Sequence, residues 1–171
     1  MKKILLLFAL AGALMTGCAQ SPSTVTTFIL IRHAEKADDG TKDPDLSEEG
    51  KSRAAVLTQL LRETKVDAIY STPFKRTQQT IQPLAMAKQL TVGTYNPMKG
   101  EDMDKLLAAH RGQTVLLSGH SNTTPWVANY FLGSNVYPDF TDADYDNLLV
   151  LSVIEKGNAT VTWINFGKPT P

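Results

Sequence analysis

The stretch Thr26-Thr27-Phe28-Ile29-Leu30-Ile31-Arg32-His33 decides the fold. Its first six residues form a short, largely apolar run that is rich in β-branched side chains, which predicts a buried β-strand. Arg32 and His33 follow at the carboxyl end of this strand. Because ligands of α/β sheets gather beyond the carboxyl ends of the strands, these two side chains are candidates for a functional site.

Further apolar runs of strand length alternate with amphipathic segments of helical length along the rest of the chain. This alternation predicts an α/β three-layer sandwich, with a mostly parallel central sheet flanked by helices, in one domain over residues 26–171. The predicted strands after the first are Val66 to Tyr70, Val92 to Tyr95, Thr114 to Ser118, and a hairpin of Leu148 to Ile154 and Thr160 to Ile164.

Turn and capping residues predict where the helices begin. Ser47 is a predicted N-cap, because acidic residues follow it in the first turn, where the helix dipole favours them. Pro73 suits the first turn of a second helix, which carries Arg76 and in which Pro83 predicts a kink or a break. The remaining helices are predicted at Glu101 to His110 and Thr124 to Leu132.

The N-terminal segment has the pattern of an export signal. Two lysines precede an apolar run that is too short for a permanent membrane span, and Gly17-Cys18 follows. Leu14-Met15-Thr16-Gly17-Cys18 resembles the lipobox of bacterial lipoproteins. The resemblance implies a signal peptide over residues 1–17, a lipid on Cys18, and a flexible tether over residues 18–25. Ala19 implies the periplasmic side of the outer membrane if the cell is Gram-negative.

Charge and cysteine content narrow the classes of function. The chain has 17 basic and 17 acidic side chains, so it lacks the net basic character of a nucleic-acid-binding domain. Cys18 is the single cysteine, which excludes an internal disulfide. It also excludes the zinc deaminases that share the His33-x-Glu35 pattern, since they need a later Cys-x-x-Cys.

The candidate side chains suit phosphate chemistry. A phosphate dianion is best bound by guanidinium forks, and Arg32 and Arg76 supply two of them. Like charge and burial press an imidazole among them toward its neutral form, whose nitrogen is a nucleophile. Positioning and charge stabilisation suffice for phosphoryl transfer, so neither a metal nor a cofactor is expected.

Four sequence elements resemble the motifs of the histidine phosphatase superfamily, the phosphoglycerate mutase-like group, and occur in that family's order. The resemblance implies that His33 becomes phosphorylated, while Arg32, Arg76 and His120 hold the transferring phosphoryl group. The elements are Arg32-His33-Ala34-Glu35, Leu46-Ser47-Glu48-Glu49-Gly50, Ser71 to Thr80 with Arg76 inside it, and Ser118-Gly119-His120.

The resemblance also implies a carboxylic acid that protonates an ester leaving group some two dozen residues beyond the second arginine. Glu101 is the first candidate by this spacing. Ser71 and Asn122 are predicted substrate contacts. Four other acids stand in reserve as proton donors: Glu35, Asp102, Asp104 and Asp146.

The expected function is therefore the hydrolysis of small phosphomonoesters through a phosphohistidine on His33. A phosphohistidine-protein phosphatase and an inactive, anion-binding envelope lipoprotein remain alternatives. A metal site built from His33, His120 and a carboxylate is disfavoured by the two nearby arginines. A serine hydrolase built on Gly119-His120-Ser121 is excluded, since its fold needs a histidine after the serine and none follows Ser121.

Overall fold

The computed structural model describes residues 24–171. The predicted signal peptide over residues 1–17, Cys18 and most of the predicted tether lie outside the described residues. The elements in chain order are β1 (Thr26–Arg32), α1 (Glu48–Leu60), β2 (Ala68–Ser71), α2 (Lys75–Lys88), β3 (Val92–Thr94), α3 (Gly100–Ala109), β4 (Thr114–Gly119), α4 (Thr123–Leu132), β5 (Asn147–Glu155) and β6 (Asn158–Asn165).

The strands form one mixed sheet with the order β3-β2-β4-β1-β5-β6. Strands β1 to β4 are parallel to one another, whereas β5 pairs antiparallel with β1 and with β6. The prediction of a mostly parallel sheet is confirmed. The carboxyl ends of β1, β2 and β4 consequently meet at one edge of the sheet, where the candidate site residues were expected.

Alternate residues of β1 pack on opposite faces of the sheet, which gives the fold its three layers. Phe28 and Leu30 join one core with residues of α3 and α4, and the ring of Phe28 stacks on that of Phe131 at 4.8 Å. Ile29 and Ile31 join the other core, with residues of α1 and α2. Burial on both sides explains why the strand reads as a continuous apolar run.

Helix α2 continues through Pro83, so the predicted break is wrong. A proline removes the hydrogen bond to the carbonyl four residues earlier. Pro83 is exposed, and water can therefore solvate that carbonyl. The neighbouring Ile81, Leu84 and Ala85 are buried in the core and hold the helix on the sheet.

Helix α1 begins as the sequence predicts and packs tightly against the segment that follows β1. The backbone N–H of Gly50 donates to the Ser47 hydroxyl at 3.1 Å, which confirms the cap. A Cβ atom at position 50 would lie only 2.1 Å from the carbonyl oxygen of Glu35. The glycine of this motif therefore allows α1 to approach the backbone two residues beyond His33.

No helix within residues 24–171 is both long enough and apolar enough to cross a membrane.

The close approach at Gly50 predicts a reversal of the usual helix propensity. Glycine to alanine normally stabilises a helix interior by about 1 kcal/mol. Gly50→Ala should instead lower the free energy of unfolding by about 1–3 kcal/mol, because the methyl group overlaps backbone that must shift. Urea denaturation measures the change, and Ser52→Ala on the exposed face of α1 is the control. Equal or greater stability of Gly50→Ala would contradict the prediction.

Candidate active site

A cleft of about 840 Å³ opens at the carboxyl edge of the sheet. Arg32 and His33 come from the end of β1, Arg76 from the first turn of α2, and His120 from the residue after β4. All four line this cleft. The structure thus brings together the four residues that the sequence predicts as the catalytic set.

His33 is buried, and one of its ring nitrogens is committed to the backbone. Its Nδ1 lies 2.8 Å from the carbonyl oxygen of Ala34. A carbonyl only accepts, so Nδ1 carries the proton and Nε2 keeps its lone pair. Burial, together with the positive charges of Arg32 and Arg76, lowers the pKa of His33 to about 3. The ring is therefore neutral at ordinary pH.

His120 faces His33, with 5.5 Å between the ring centroids. Its Nε2 lies 3.0 Å from the hydroxyl of Thr72, which donates in turn to the hydroxyl of Thr77. The Thr77 hydroxyl donates in its turn to backbone carbonyls. This series of hydrogen bonds therefore places a proton on Nε2 of His120. Burial and the charges of Arg76 and Arg32 lower the pKa of His120 to about 4.

Arg76 is held at the N-terminus of α2 by an aromatic ring and a carboxylate. Its guanidinium carbon lies 4.6 Å from the centroid of the Phe74 ring, and its Nη1 lies 3.3 Å from Oδ1 of Asp43. The Asp43 carboxylate also accepts from the backbone N–H of Lys75, at 3.0 Å. A residue 32 positions upstream thereby caps the helix that presents Arg76.

Arg32 is buried at 4 % exposure, and backbone carbonyls take most of its donors. Its Nη1 donates to the carbonyls of Thr141 and Asp144 at 2.7 and 2.8 Å, and its Nη2 donates to that of Asp142 at 3.2 Å. The guanidinium carbon lies 4.1 Å above the Tyr145 ring. Burial lowers the pKa of Arg32 below its ordinary value.

The Nε–H of Arg32 is the one buried side-chain donor or acceptor without a hydrogen-bond partner within residues 24–171. An unpartnered buried donor is costly, and an anion oxygen would satisfy it. Because Arg32 lines the cleft, this donor is suited to a phosphate ligand.

The first candidate for the acid lies outside the cleft, whereas its neighbour lies inside. Glu101 is exposed on the first turn of α3 and does not line the cleft. Asp102 is half-buried and lines it, with its carboxylate 3.6 Å from the Lys105 ammonium. The structure therefore favours Asp102, a reserve candidate, over Glu101.

The other reserve acids have structural partners of their own. Arg53 binds Glu35 through Nη2 at 2.7 Å, and the ion pair lowers the pKa of Glu35 despite its burial. Asp104 accepts from the Tyr130 hydroxyl at 2.9 Å. Asp146 accepts from the Thr170 hydroxyl at 2.9 Å. None of these three acids lines the cleft.

The two predicted substrate contacts differ in position. Asn122 is exposed and lines the cleft at the start of α4. Ser71 is buried, does not line the cleft, and donates its hydroxyl to the carbonyl of Thr72 at 2.8 Å. Thr72 reaches the cleft in its place. The sequence carries a signal for Thr72: residues 71–80 resemble a Ser-x-x-x-Arg-x-x-x-Thr motif, and its first spacing, counted back from Arg76, ends on Thr72 rather than on Ser71.

Sequence reasoning also missed Asp43 and Tyr145, which hold the two arginines. Asp43 lies among acids that read as a solvated loop, and Tyr145 lies in a segment without a motif. Within the described part of the chain, no group of three or more histidine, cysteine, aspartate and glutamate residues is arranged to hold a metal ion.

Comparison with known proteins gives a family match over part of the chain and a fold match over most of it. Residues 28–99 match the sequence model of the histidine phosphatase superfamily, branch 1. Phosphoserine phosphatase 1 of Hydrogenobacter thermophilus is 47% identical over 70 residues, which are 37% of this chain and 33% of that protein. The chain thus spans about a third of the length of this curated relative.

Solved structures extend the likeness to most of the chain. The protein histidine phosphatase SixA complexed with tungstate has a TM-score of 0.68 at 17% identity, covering 81% of this chain and 96% of that one. A mycobacterial glucosyl-3-phosphoglycerate phosphatase has a TM-score of 0.68 at 14% identity, covering 84% and 100%. Residues 28–99 thus carry the match to the histidine phosphatase superfamily, and most of the chain has the fold of these solved structures.

Proposed function

We propose that this domain is a phosphohydrolase that forms a phosphohistidine on Nε2 of His33. The observation that carries the proposal is the hydrogen bond from Nδ1 to the Ala34 carbonyl, at 2.8 Å. It fixes the tautomer whose Nε2 lone pair is available, in a cleft that also holds Arg32, Arg76 and His120. A neutral imidazole beside two guanidinium groups is suited to attack a phosphoryl group.

The first step transfers the phosphoryl group to His33. Arg76 and the Nε–H of Arg32 bind the phosphoryl oxygens, and Nε2 attacks phosphorus opposite the ester oxygen. The N–P bond forms as the P–O bond breaks. A bound dianion reverses the electrostatics that keep His120 neutral, so His120 takes up a proton and donates to an equatorial oxygen.

The second step returns His33 to its starting state. Asp102 is the general acid of the first step, in which it gives a proton to the ester oxygen as the P–O bond breaks. In the second step the Asp102 carboxylate accepts a proton from water as the water oxygen attacks phosphorus and the N–P bond breaks. The products are inorganic phosphate and neutral His33. Small phosphorylated molecules are the proposed substrates.

The names of the similar proteins support a phosphatase. The curated relative is a phosphoserine phosphatase, and the fold neighbours include a protein histidine phosphatase. The likeness to the solved structures below 25% identity bears on the fold alone, so the proposed activity rests on the site geometry and on the matched motifs.

A phosphohistidine-protein phosphatase is the second candidate, and one contact favours it. The Asp102 carboxylate lies 3.6 Å from the Lys105 ammonium, an ion pair that must open before Asp102 delivers a proton. A phosphoramidate substrate has a nitrogen leaving group that needs less acid assistance than an alkoxide. For such a substrate, proton donation by Asp102 would contribute little to catalysis.

We also propose that the domain is exported and anchored by lipid on Cys18 to the periplasmic side of the outer membrane. The lysine pair, the apolar run and Gly17-Cys18 support this proposal. Cys18→Ser should move the protein from the membrane fraction to a soluble fraction and abolish incorporation of labelled fatty acid. Membrane attachment that is unchanged in Cys18→Ser would contradict it.

The phosphoenzyme is the direct test of His33. After a brief reaction with an aryl phosphate and denaturing quench, the wild-type chain should carry one phosphate on His33 that is labile in acid and stable in base. His33→Ala should lose this label and more than about 1,000-fold in kcat/KM. His110→Gln is the matched control, because His110 lies outside the cleft and binds Tyr70 and Gln113. An acid-stable label, or activity retained in His33→Ala, would refute the nucleophile.

The adjacent acids of α3 offer a matched pair for the proton donor. Asp102→Asn should lower kcat on an alkyl phosphate ester about 100-fold, the size expected of a general acid, while Glu101→Gln leaves it unchanged. Steady-state kinetics on the ester and on a phosphoramidate measure both effects. Loss confined to the ester supports Asp102 as the acid. Full ester activity in Asp102→Asn would show that Asp102 is not the acid.

A further inference from the structure

The C-terminal segment Phe166–Thr170 is hydrogen-bonded to Arg53 and to the backbone of Tyr145 and Asp146. We call this segment the C-terminal strap. It follows β6, and only Phe166 and Thr170 within it are shielded from solvent. The proposed mechanism gives the strap no role, yet its hydrogen bonds connect to the residues that hold the catalytic pair.

The far end of the strap is fixed to the loop that binds Arg32. The backbone N–H groups of Tyr145 and Asp146 donate to the Thr170 hydroxyl at 3.1 and 3.3 Å. The same hydroxyl donates to Oδ1 of Asp146 at 2.9 Å, and the Thr170 N–H donates to Oδ2 at 3.3 Å. Asp146 is 5 % exposed, so Thr170 satisfies a buried carboxylate as well as two backbone donors.

The near end of the strap is fixed to the segment that follows His33. Arg53 donates to the carbonyls of Phe166 and Lys168 at 2.7 and 2.8 Å. Its Nε and Nη2 also donate to the Glu35 carboxylate, with Nη2 to Oε1 at 2.7 Å. Glu35 lies two residues after His33. A Cβ atom at Gly167 would lie 3.0 Å from Nη1 of Arg53, so glycine suits this close contact.

These contacts link the segment that follows His33 to the loop that binds Arg32. Glu35 binds Arg53, Arg53 binds the strap, and Thr170 of the strap binds the loop at 141–146. That loop returns to Arg32, because its carbonyls accept from the guanidinium and the Tyr145 ring lies 4.1 Å beneath it. The Tyr145 ring also lies 6.0 Å from the ring of His33.

We propose that the C-terminal strap positions Arg32 for phosphate binding, with Thr170 as the positioning residue that acts through the 141–146 loop. The inference rests on the proposed function, because it assigns the strap to the phosphate site. Three carbonyls fix where the guanidinium lies, and their own position depends on the Thr170 hydroxyl. A small displacement of a substrate-positioning group is enough to cost a large factor in rate.

The test compares Thr170→Val, which replaces the hydroxyl with a methyl group, with Thr170→Ser, which keeps it. Thr170→Val should lower kcat/KM for an aryl phosphate about 10-fold and weaken competitive inhibition by inorganic phosphate by a similar factor. Thr170→Ser should retain most of the wild-type kcat/KM and most of the inhibition by inorganic phosphate. Thr162→Val, the same change at an exposed position of β6, is the matched control. Thermal unfolding of each variant shows that the folded state is compared.

A double-mutant cycle separates positioning of Arg32 from a general loss of structure. In an Arg32→Ala background, Thr170→Val should change phosphate affinity less than 2-fold, because the group that it positions is gone. Calorimetric titration with inorganic phosphate measures this affinity without turnover. An equal effect in both backgrounds, or no effect of Thr170→Val on a folded enzyme, refutes the proposed positioning role of the strap. Either result leaves the proposed function intact.

A second pair of variants covers the case in which Thr170→Val does not fold. Tyr145→Leu removes the ring beneath Arg32, and Tyr145→Phe keeps it. Phosphate affinity should fall about 10-fold in the first and stay within 2-fold in the second. Equal affinities in a folded pair overturn the inference. Wild-type protein that neither hydrolyses the aryl phosphate nor binds phosphate refutes the proposed function itself.

Discussion

The burial of the Arg32 guanidinium is the constraint on which the site depends. A charged group at 4 % exposure has lost nearly all its water, and such a group is stable only where other dipoles replace the water. Here three backbone carbonyls of residues 141, 142 and 144 do so, rather than a carboxylate. Carbonyl dipoles satisfy the Nη1 and Nη2 donors without neutralising the charge, so the arginine keeps its attraction for an anion.

The fold could be predicted because its signals are local. Neighbouring residues determine both the apolar run of β1 and the helix cap at Ser47. The parallel sheet follows from the alternation of strand-length and helix-length segments. The four principal site residues could be predicted for a related reason. Each stands at or just beyond a strand end, or in the first turn of a helix, and the topology of a parallel sheet brings such positions to one edge.

The remaining site residues depend on direction and on distant contacts. Successive residues of a helix point about 100° apart, so Glu101 and Asp102 face different surroundings although they are neighbours in the chain. Ser71 ends β2 and Thr72 follows it, and only Thr72 lines the cleft. The contacts of Arg32 with Thr141 and of Arg53 with Phe166 join residues more than 100 positions apart. No local pattern encodes partners at that separation.

The site's charges explain how a ligand changes the state of the residues that bind it. Without a ligand, burial, together with repulsion from the two guanidinium groups, keeps both imidazoles neutral. A phosphate dianion cancels that repulsion, and the two rings then respond differently. The Nδ1–H of His33 is already bound to a carbonyl, and Nε2 is the attacking atom of the proposed mechanism, so a proton on Nε2 would block attack. His120 is not the attacking group in that mechanism, so its protonation would add a third cation to the proposed transition state. The hydrogen bond of His33 to Ala34 therefore distinguishes the proposed nucleophile from the proposed phosphate-binding cation, although both side chains are histidines.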